Sequence, residues 1–307
     1  MAKILDFVRR ASAPVQTEGA ALAGLLEDFS IEVMPRSAAK IDDFRAILPA
    51  GTRVYLAHID GTDFADMLAT ARRLVDEGFA VMPHFPARGI ADRAELARRI
   101  AAYSDIGVSR ALVIAGGIDT PRGAYHEAMQ LLRTGLFDAA GFTELHVAGH
   151  PEGNRDIDPA GGDAACLAAL VEKDGFRRET DAAMAIATQF AFEAAPVIAW
   201  TDRLRAAGVT LPVHIGVAGP AKLQTMLKFA MACGIGPSLR VLQRRAADLT
   251  RLMTPFEPTE FLSDLAAHKA AHPDFAVERV HFFPLGGITA ATDWAAAMSA
   301  RPQRARA

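Results

Sequence analysis

Eight short apolar runs recur along the 307 residues, separated by longer segments that carry charge on one face. The runs are Phe29 to Met34, Arg53 to His58, Ala80 to His84, Arg110 to Ala115, Glu144 to Gly149, Ala185 to Gln189, Val213 to Val217 and Val280 to Pro284. Their length is that of strands, and largely continuous rather than alternating hydrophobicity is what a parallel strand buried on both faces requires. Between them, Asp63 to Glu77, Asp92 to Tyr103, Tyr125 to Arg133, Ala195 to Ala207 and Pro220 to Ala232 place apolar residues at helical spacing. Strand followed by helix, eight times over, predicts an α/β fold in which a parallel sheet closes on itself, a (β/α)8 TIM barrel.

Two segments depart from strict alternation. One is an N-terminal extension before the first strand, and the other is extra helical material from Leu239 to His272 before the last. Both read as decorations of one domain spanning 1–307, because no Pro/Gly/Ser-rich linker divides the chain. Thr289 to Ala300 is expected to be helical, with Trp294 and Met298 one turn apart, and 301–307 is expected to be a disordered tail.

Thirty-three Lys and Arg against thirty-six Asp and Glu leave a charge of -3, which gives no footprint for nucleic acid or an anionic membrane and favours small-molecule chemistry. Cys166 and Cys233 are far apart and outside any C-x-x-C spacing, so neither a disulfide framework nor a zinc cluster is expected. The opening MAKILDFVRR lacks the features of a signal peptide, and no stretch reaches transmembrane length; a cytoplasmic protein is expected.

In such barrels the reacting groups sit where strands end, at the C-terminal face. The first strand contains Glu32 within apolar neighbours, with Arg36 shortly after it. A carboxylate there must be paired, solvated in a pocket or raised in pKa, and pairing with Arg36 is the structural alternative to a general acid. Other strands end in His58 and Asp60, in Pro83 and His84, and in His150 and Glu152. The tight H-x-H pair of a metal-binding barrel is absent from the first strand, so no metal site is expected. After the fourth strand, Ala115, Gly116, Gly117 and Asp119 precede Tyr125; glycines there allow close backbone approach to a flat or phosphorylated ligand, or simply make a turn. The sixth strand ends in Thr188, Gln189 and Phe190, an amide beside a ring, while Lys173, Arg177 and Arg178 form a basic cluster that is either a phosphate clamp or a solvated face.

Taken in order, these strand ends resemble the bacterial catalytic-barrel family of methylenetetrahydrofolate reductases. The resemblance is carried by Ile31-Glu32-Val33-Met34-Pro35-Arg36, Pro83-His84, Tyr125, Ala148-Gly149-His150-Pro151-Glu152 and Ala187-Thr188-Gln189-Phe190, across roughly residues 29–290. It implies an oxidoreductase of one-carbon folate metabolism that interconverts 5,10-methylene- and 5-methyl-tetrahydrofolate with NAD(P)H, through FAD. Glu32 would be the catalytic acid, and Glu32, Gln189 and Leu223 would contact the folate. Ala57, His84, Gly116, Gly117, Asp119, Tyr125, Ala148, His150, Asn154 and Arg178 would line the cofactor. The chain departs from the family where Ala115-Gly116-Gly117 replaces Arg-Gly-Asp, where Asn154-Arg155 replaces a His-Pro pair, and where Leu285-Gly286-Gly287 lacks an expected Arg. These departures leave open direct, flavin-free hydride transfer from the nicotinamide, and a non-catalytic folate-binding barrel. The expected partners are folate and nicotinamide small molecules, with a homo-oligomer left open.

Overall fold

The computed structural model describes residues 19–232 and 255–299. Eight parallel strands close in sequential order: β1 (Ser30–Val33), β2 (Arg53–Leu56), β3 (Ala80–Pro86), β4 (Arg110–Ile114), β5 (Glu144–Gly149), β6 (Ala183–Ala191), β7 (Val213–Ala218) and β8 (Val277–Phe283), with β8 paired back onto β1. The expected (β/α)8 TIM barrel is the observed fold. Helices α1 (Phe64–Asp76), α2 (Arg93–Ser104), α3 (Ala128–Leu132), α4 (Ala164–Phe176), α5 (Ala194–Ala206), α6 (Leu223–Ala232), α7 (Thr259–Ala271) and α8 (Ile288–Ser299) follow β2 onward, with α6 and α7 both between β7 and β8. Among the described residues, no helix is long and apolar enough to cross a membrane.

Local chemistry sets several boundaries. Asp63 and Asp92 start α1 and α2 by accepting hydrogen bonds from the N–H groups of Ala65 and Glu95, at 2.9 and 2.7 Å. Helix α3 begins later than the spacing predicts, since Pro121 and Gly123 hold the preceding segment in a loop and the Gln130 side chain accepts from the Glu127 N–H at 3.1 Å. Likewise α6 begins at Leu223 rather than Pro220, because Ala221 makes an isolated antiparallel bridge with Phe256. Helix α4 escapes a periodicity reading: its Ala-rich sequence separates apolar and polar faces poorly, and Val171 stays exposed. The extra material before β8 contains α7, and its first part, from Leu239 to 254, lies outside the described residues, as do Cys233 and 301–307.

One sector breaks the regular alternation. After β1 comes only a helical turn at Pro35–Ala38 and a 3-10 turn at Phe44–Ala46, where a full helix was expected. Arg73 of α1 fastens this connection, donating to the carbonyls of Ala38 (3.1 Å), Ile41 (2.6 Å) and Asp42 (3.0 Å) while its guanidinium lies 5.2 Å from the Phe44 ring centroid.

The apolar core forms the shell between strands and helices. Ile31, Val54, Val81, Val113, Val147, Ile186, Ile215 and Phe282 point outward into it and are almost wholly buried. Each such side chain contributes about 1.5–3 kcal/mol of transfer free energy. Alternation then turns their strand neighbours inward.

Strand β6 carries one extra residue between Ala187 and Phe190 relative to β7, where Ala187 pairs His214 and Phe190 pairs Gly216. The bulge packs on Gly216, whose N–H donates to Thr188 Oγ1 at 2.8 Å, and a Cβ at Gly216 would lie 2.4 Å from the Thr188 carbonyl oxygen. Gly216→Ala is therefore expected to cost about 1–3 kcal/mol of stability through overpacking against backbone. Urea denaturation measures it, and an unchanged midpoint would mean that the bulge relaxes freely.

Candidate functional site

The barrel interior is polar where a barrel of this class ordinarily packs branched aliphatic side chains. Facing inward are Ser30 and Glu32 of β1, Arg53 and Tyr55 of β2, His84 of β3, Arg110 of β4, Glu144 and His146 of β5, His214 of β7, and Arg279 and His281 of β8. Strand register sorts them into tiers. At the lower end Glu144 joins Arg53 (2.6 Å) and Arg110 (2.7 Å), with His146 Nε2 3.6 Å from the same carboxylate. In the middle, the Tyr55 hydroxyl meets His146 Nδ1 at 2.5 Å and His214 Nδ1 at 3.4 Å. Tyr55, Met82, Leu112 and Ala187 pack together around it, with Ile114 against them.

At the upper, C-terminal end stands Glu32, whose side chain keeps 21% exposure. Its Oε2 lies 3.6 Å from His84 Nε2 and 3.9 Å from His281 Nε2. His281 is anchored in turn by Ser30 Oγ, 3.0 Å from Nδ1. His84 Nε2 is buried and makes no hydrogen bond. The structural alternative of a Glu32–Arg36 pair is not what forms: Arg36 is exposed, and Glu32 pairs with the two imidazoles.

Burial pushes the Glu32 carboxyl up, but the contact with His281 and the charges of His84 and His281 outweigh it and hold the group below its usual range. Burial drives His84 and His146 down to about 4, and Glu32 and Glu144 offset only part of that loss. His150, just past β5, is also lowered to about 4 by burial and by the charge of Lys173. At neutral pH, then, Glu32 is ionised beside the neutral imidazole of His84.

An aromatic wall completes the mouth. Phe283, at the end of β8, lies 4.9 Å from His281 and 5.4 Å from Phe190 by ring centroids. Phe190, Phe192, Leu223, Met226 and Phe256 form an apolar cluster behind it. Gln189 sits on the bulge beside Phe190, and its amide has no hydrogen-bond partner among the described residues. One side of the mouth thus offers a carboxylate and imidazoles, and the other rings and an amide.

The loops tie four neighbouring strand ends together, those of β2 to β5. Arg88, after β3, donates to the carbonyls of His126 (3.1 Å) and Ile118 (3.4 Å) in the β4 loop and pairs with Asp156 of the β5 loop at 2.9 Å. Arg122 pairs with Asp60 of the β2 loop at 2.8 Å. Gly116 has φ +92° and sits against Pro86, where a Cβ would lie 2.9 Å from the proline Cβ.

Several of the residues picked from sequence gather at this mouth: Glu32 and His84 touch, Ala148 faces inward on β5, Gln189 and Leu223 border the aromatic wall, and Ala57 continues β2 with its N–H donating to Val33 O at 2.8 Å. Gly117, Asp119 and Tyr125 lie on the β4 loop, and Asn154 lies on the β5 loop. Arg178 does not join them. It follows the C-terminal end of α4, five residues before β6 begins, which places it at the opposite rim; Arg177 accompanies it, while Lys173 is turned into the helix's buried face. Sequence reasoning missed Arg53, Tyr55, Glu144, His146, His214 and His281. The signal was present as polar residues two apart within apolar runs: Arg53-x-Tyr55, Glu144-x-His146 and Arg279-x-His281.

Small side chains, Ala57, Ala148 and Ala187, stand at or near the C-terminal ends of β2, β5 and β6. The cations that a dinucleotide's diphosphate needs fit less well: Arg88 and Arg122 are committed to Asp156 and Asp60, and Arg178 is at the far rim.

No known family profile matches the sequence. Among solved structures, a protein from Clostridium thermocellum, described as binding two copies of 5-methyl-5,6,7,8-tetrahydrofolic acid, is similar with a TM-score of 0.60 at 10% identity, over 88% of this chain and 93% of that one. A 7,8-dihydropteroate synthase from Vibrio fischeri ES114 aligns at TM-score 0.44 and 12% identity, over 90% of this chain and 94% of the other. At such identity the first likeness speaks for the fold alone.

The interior imidazoles make stability depend on pH with a definite sign. A histidine at about 4 when folded and about 6.5 when unfolded binds fewer protons in the folded state throughout that window, so acidification favours unfolding. Glu32 and Glu144, both lowered, lose their contributions further down and in the same direction. The melting temperature is expected to fall steadily from pH 6.5 towards pH 4, and less steeply in His146→Gln. Parallel curves for the two proteins would show that His146 is not the titrating group.

Proposed function

We propose that this chain is an oxidoreductase that interconverts 5,10-methylenetetrahydrofolate and 5-methyltetrahydrofolate by hydride transfer from NAD(P)H, with FAD as the intermediate carrier. The observation that carries the reading is Glu32, a carboxyl held at the barrel mouth by His84 and His281 and still open to it. It is supported by the order of strand-end motifs and by a protein of the same fold that binds a reduced folate. The mouth's two halves suit the substrate. A pterin edge matches the unpartnered Gln189 amide, an aromatic tail matches the wall around Phe190 and Phe283, and the bridging nitrogen would lie at Glu32.

The chemistry consumes one proton and one hydride. Glu32 in its acid form would give a proton to N10 as the C–N10 bond of the five-membered ring breaks, leaving a carboxylate and an N5-iminium on the substrate. The hydride then forms the new C–H bond at that carbon and yields the methyl group. A flavin, when bound, supplies a two-electron carrier between nicotinamide and folate. Ala57, Ala148 and His150 would border its ring, and Gly116, Gly117 and Asp119 would approach it from the β4 loop. The committed state of Arg88 and the far position of Arg178 favour a second reading in which the nicotinamide delivers hydride directly.

Two measurements test this. Absorbance of the purified protein from the near ultraviolet to the blue, before and after anaerobic NADH, is expected to show a flavin band that bleaches; a colourless protein that oxidises NADH with methylenetetrahydrofolate establishes the direct route, and a colourless protein with no turnover refutes both. Glu32→Gln is expected to lower folate turnover by about 100- to 10,000-fold while leaving NADH oxidation by an artificial acceptor near wild type. Equal loss of both activities in a folded variant would make Glu32 structural.

A further inference from the structure

A carboxyl whose surroundings keep it ionised is a poor acid unless something beside it holds the proton. We propose that His281 is the proton-holding partner of Glu32, and that Ser30 fixes the imidazole in the orientation that this requires. The inference deepens the folate-reductase reading and rests on it for its catalytic consequence, though not for the existence of the pair.

The hydrogen-bond directions carry the argument. Ser30 Oγ lies 3.4 Å from the Val280 carbonyl, which can only accept, so the hydroxyl proton points there. In that arrangement its lone pairs face His281 Nδ1 at 3.0 Å, and that nitrogen is assigned the ring proton that donates to them. The remaining nitrogen, Nε2, is the one turned to Glu32 Oε2 at 3.9 Å. If Nε2 is unprotonated and Glu32 ionised, a lone pair opposes a carboxylate inside the barrel; a proton on either atom turns that repulsion into attraction. One proton therefore belongs to the pair and moves between its two sites.

His84 is placed differently. Its Nε2 is also near Oε2, at 3.6 Å, but it has no hydrogen-bond partner, and burial keeps the ring neutral at physiological pH. A neutral Nε2–H there faces Glu32 as a donor only and stabilises the carboxylate after its proton has left. The other groups around His281 are Tyr55 of β2, its ring tilted by 53° at 4.3 Å between centroids, His146 of β5, His214 of β7, and Arg279 on its own strand. Tyr55 is pushed far above neutral by burial, and the imidazoles of His146 and His214 are pushed well below. At neutral pH none of the three exchanges protons with the pair.

In the proposed reaction the shared proton passes from His281 Nε2 to Glu32 and from Glu32 to the folate N10, leaving a carboxylate and a neutral His281 with Nδ1–H still on Ser30, and water at the open mouth returns one proton to the pair per turnover. His281 is thus a positioning residue that acts through Glu32.

Nitrogen-15 spectra of ring-labelled histidine, followed through a pH titration in the wild type and in Glu32→Gln, test the pair without any substrate. His281 Nδ1 is expected to stay protonated throughout, Nε2 to titrate, and its midpoint to fall by a pH unit or more, a tenfold loss of proton affinity, when the carboxylate is removed. An unshifted midpoint, or an unprotonated Nδ1, overturns the proposal. Ser30→Ala supplies a second variant: it is expected to release Nδ1 and let both ring tautomers appear, and an unchanged tautomer counts against it. For the catalytic consequence, His281→Gln is expected to lower kcat for methylenetetrahydrofolate at least tenfold with KM within threefold, and to move the high-pH limb of the profile down by about one unit. An unchanged pH profile overturns the proton-holding role. A wild type that shows the coupled titration but no folate turnover refutes the functional reading and leaves the pair intact.

Discussion

Glu144 is the charge on which the interior depends. Two arginines and an imidazole converge on it from β2, β4 and β5, at the end of the barrel away from the mouth. An isolated carboxylate or guanidinium there would be costly to desolvate, and breaking such a partnership commonly costs several kcal/mol. With the pairs in place, the carboxyl is held far below its ordinary range and His146 is fixed through one nitrogen, leaving the other to meet Tyr55. The order at the mouth is therefore set from below: Tyr55 underlies His281, and His281 and Ser30 underlie Glu32. Even so, two buried guanidinium nitrogens of Arg53, Nε and Nη1, have no hydrogen-bond partner among the described residues, so the network is not fully satisfied.

A barrel with aliphatic layers would be the simpler way to fill this volume. Replacing buried ion pairs with apolar residues is often neutral or stabilising in other proteins, so stability alone is a weak reason for this one. What the polar filling supplies is electrostatic control at one carboxyl. Desolvation keeps several imidazoles neutral, and the residual charge concentrates where Glu32 meets solvent. The apolar half of the mouth, from Phe190 to Phe256, rests on a different device, a bulge that only glycine at 216 admits.

The strand order, and most helix positions, were legible because burial on both faces writes long apolar runs and amphipathic helices write a period of 3.6. Legibility failed where that link is weak. Helix α4 is apolar on more than one face, and the β1–β2 connection has helix-forming residues but breaks at Asp43 into a 3-10 turn. At the site, Glu32, His84 and Gln189 stood out as polar residues at strand ends. Tyr55, His146 and His281 did not, because inside a short run each reads as an ordinary interruption; only knowing which face of the strand points inward makes them one group. Arg178 was misplaced for the converse reason, since nearness in sequence to a strand says nothing about which rim a helix end reaches.

The thin sector after β1 gives Arg73 a significance beyond its own helix. The segment leaving Glu32 has no long helix of its own and is braced from the end of α1, by the Arg73 guanidinium that holds three carbonyls and a phenyl ring and by Glu77, which accepts from the Phe44 N–H at 2.8 Å. The acid's strand thus depends on the end of a neighbouring helix rather than on a helix of its own. Motion of α1 is transmitted to it through two side chains, Arg73 and Glu77, which are themselves paired at 2.7 Å, whereas the loops of β2 to β5 are stitched to one another.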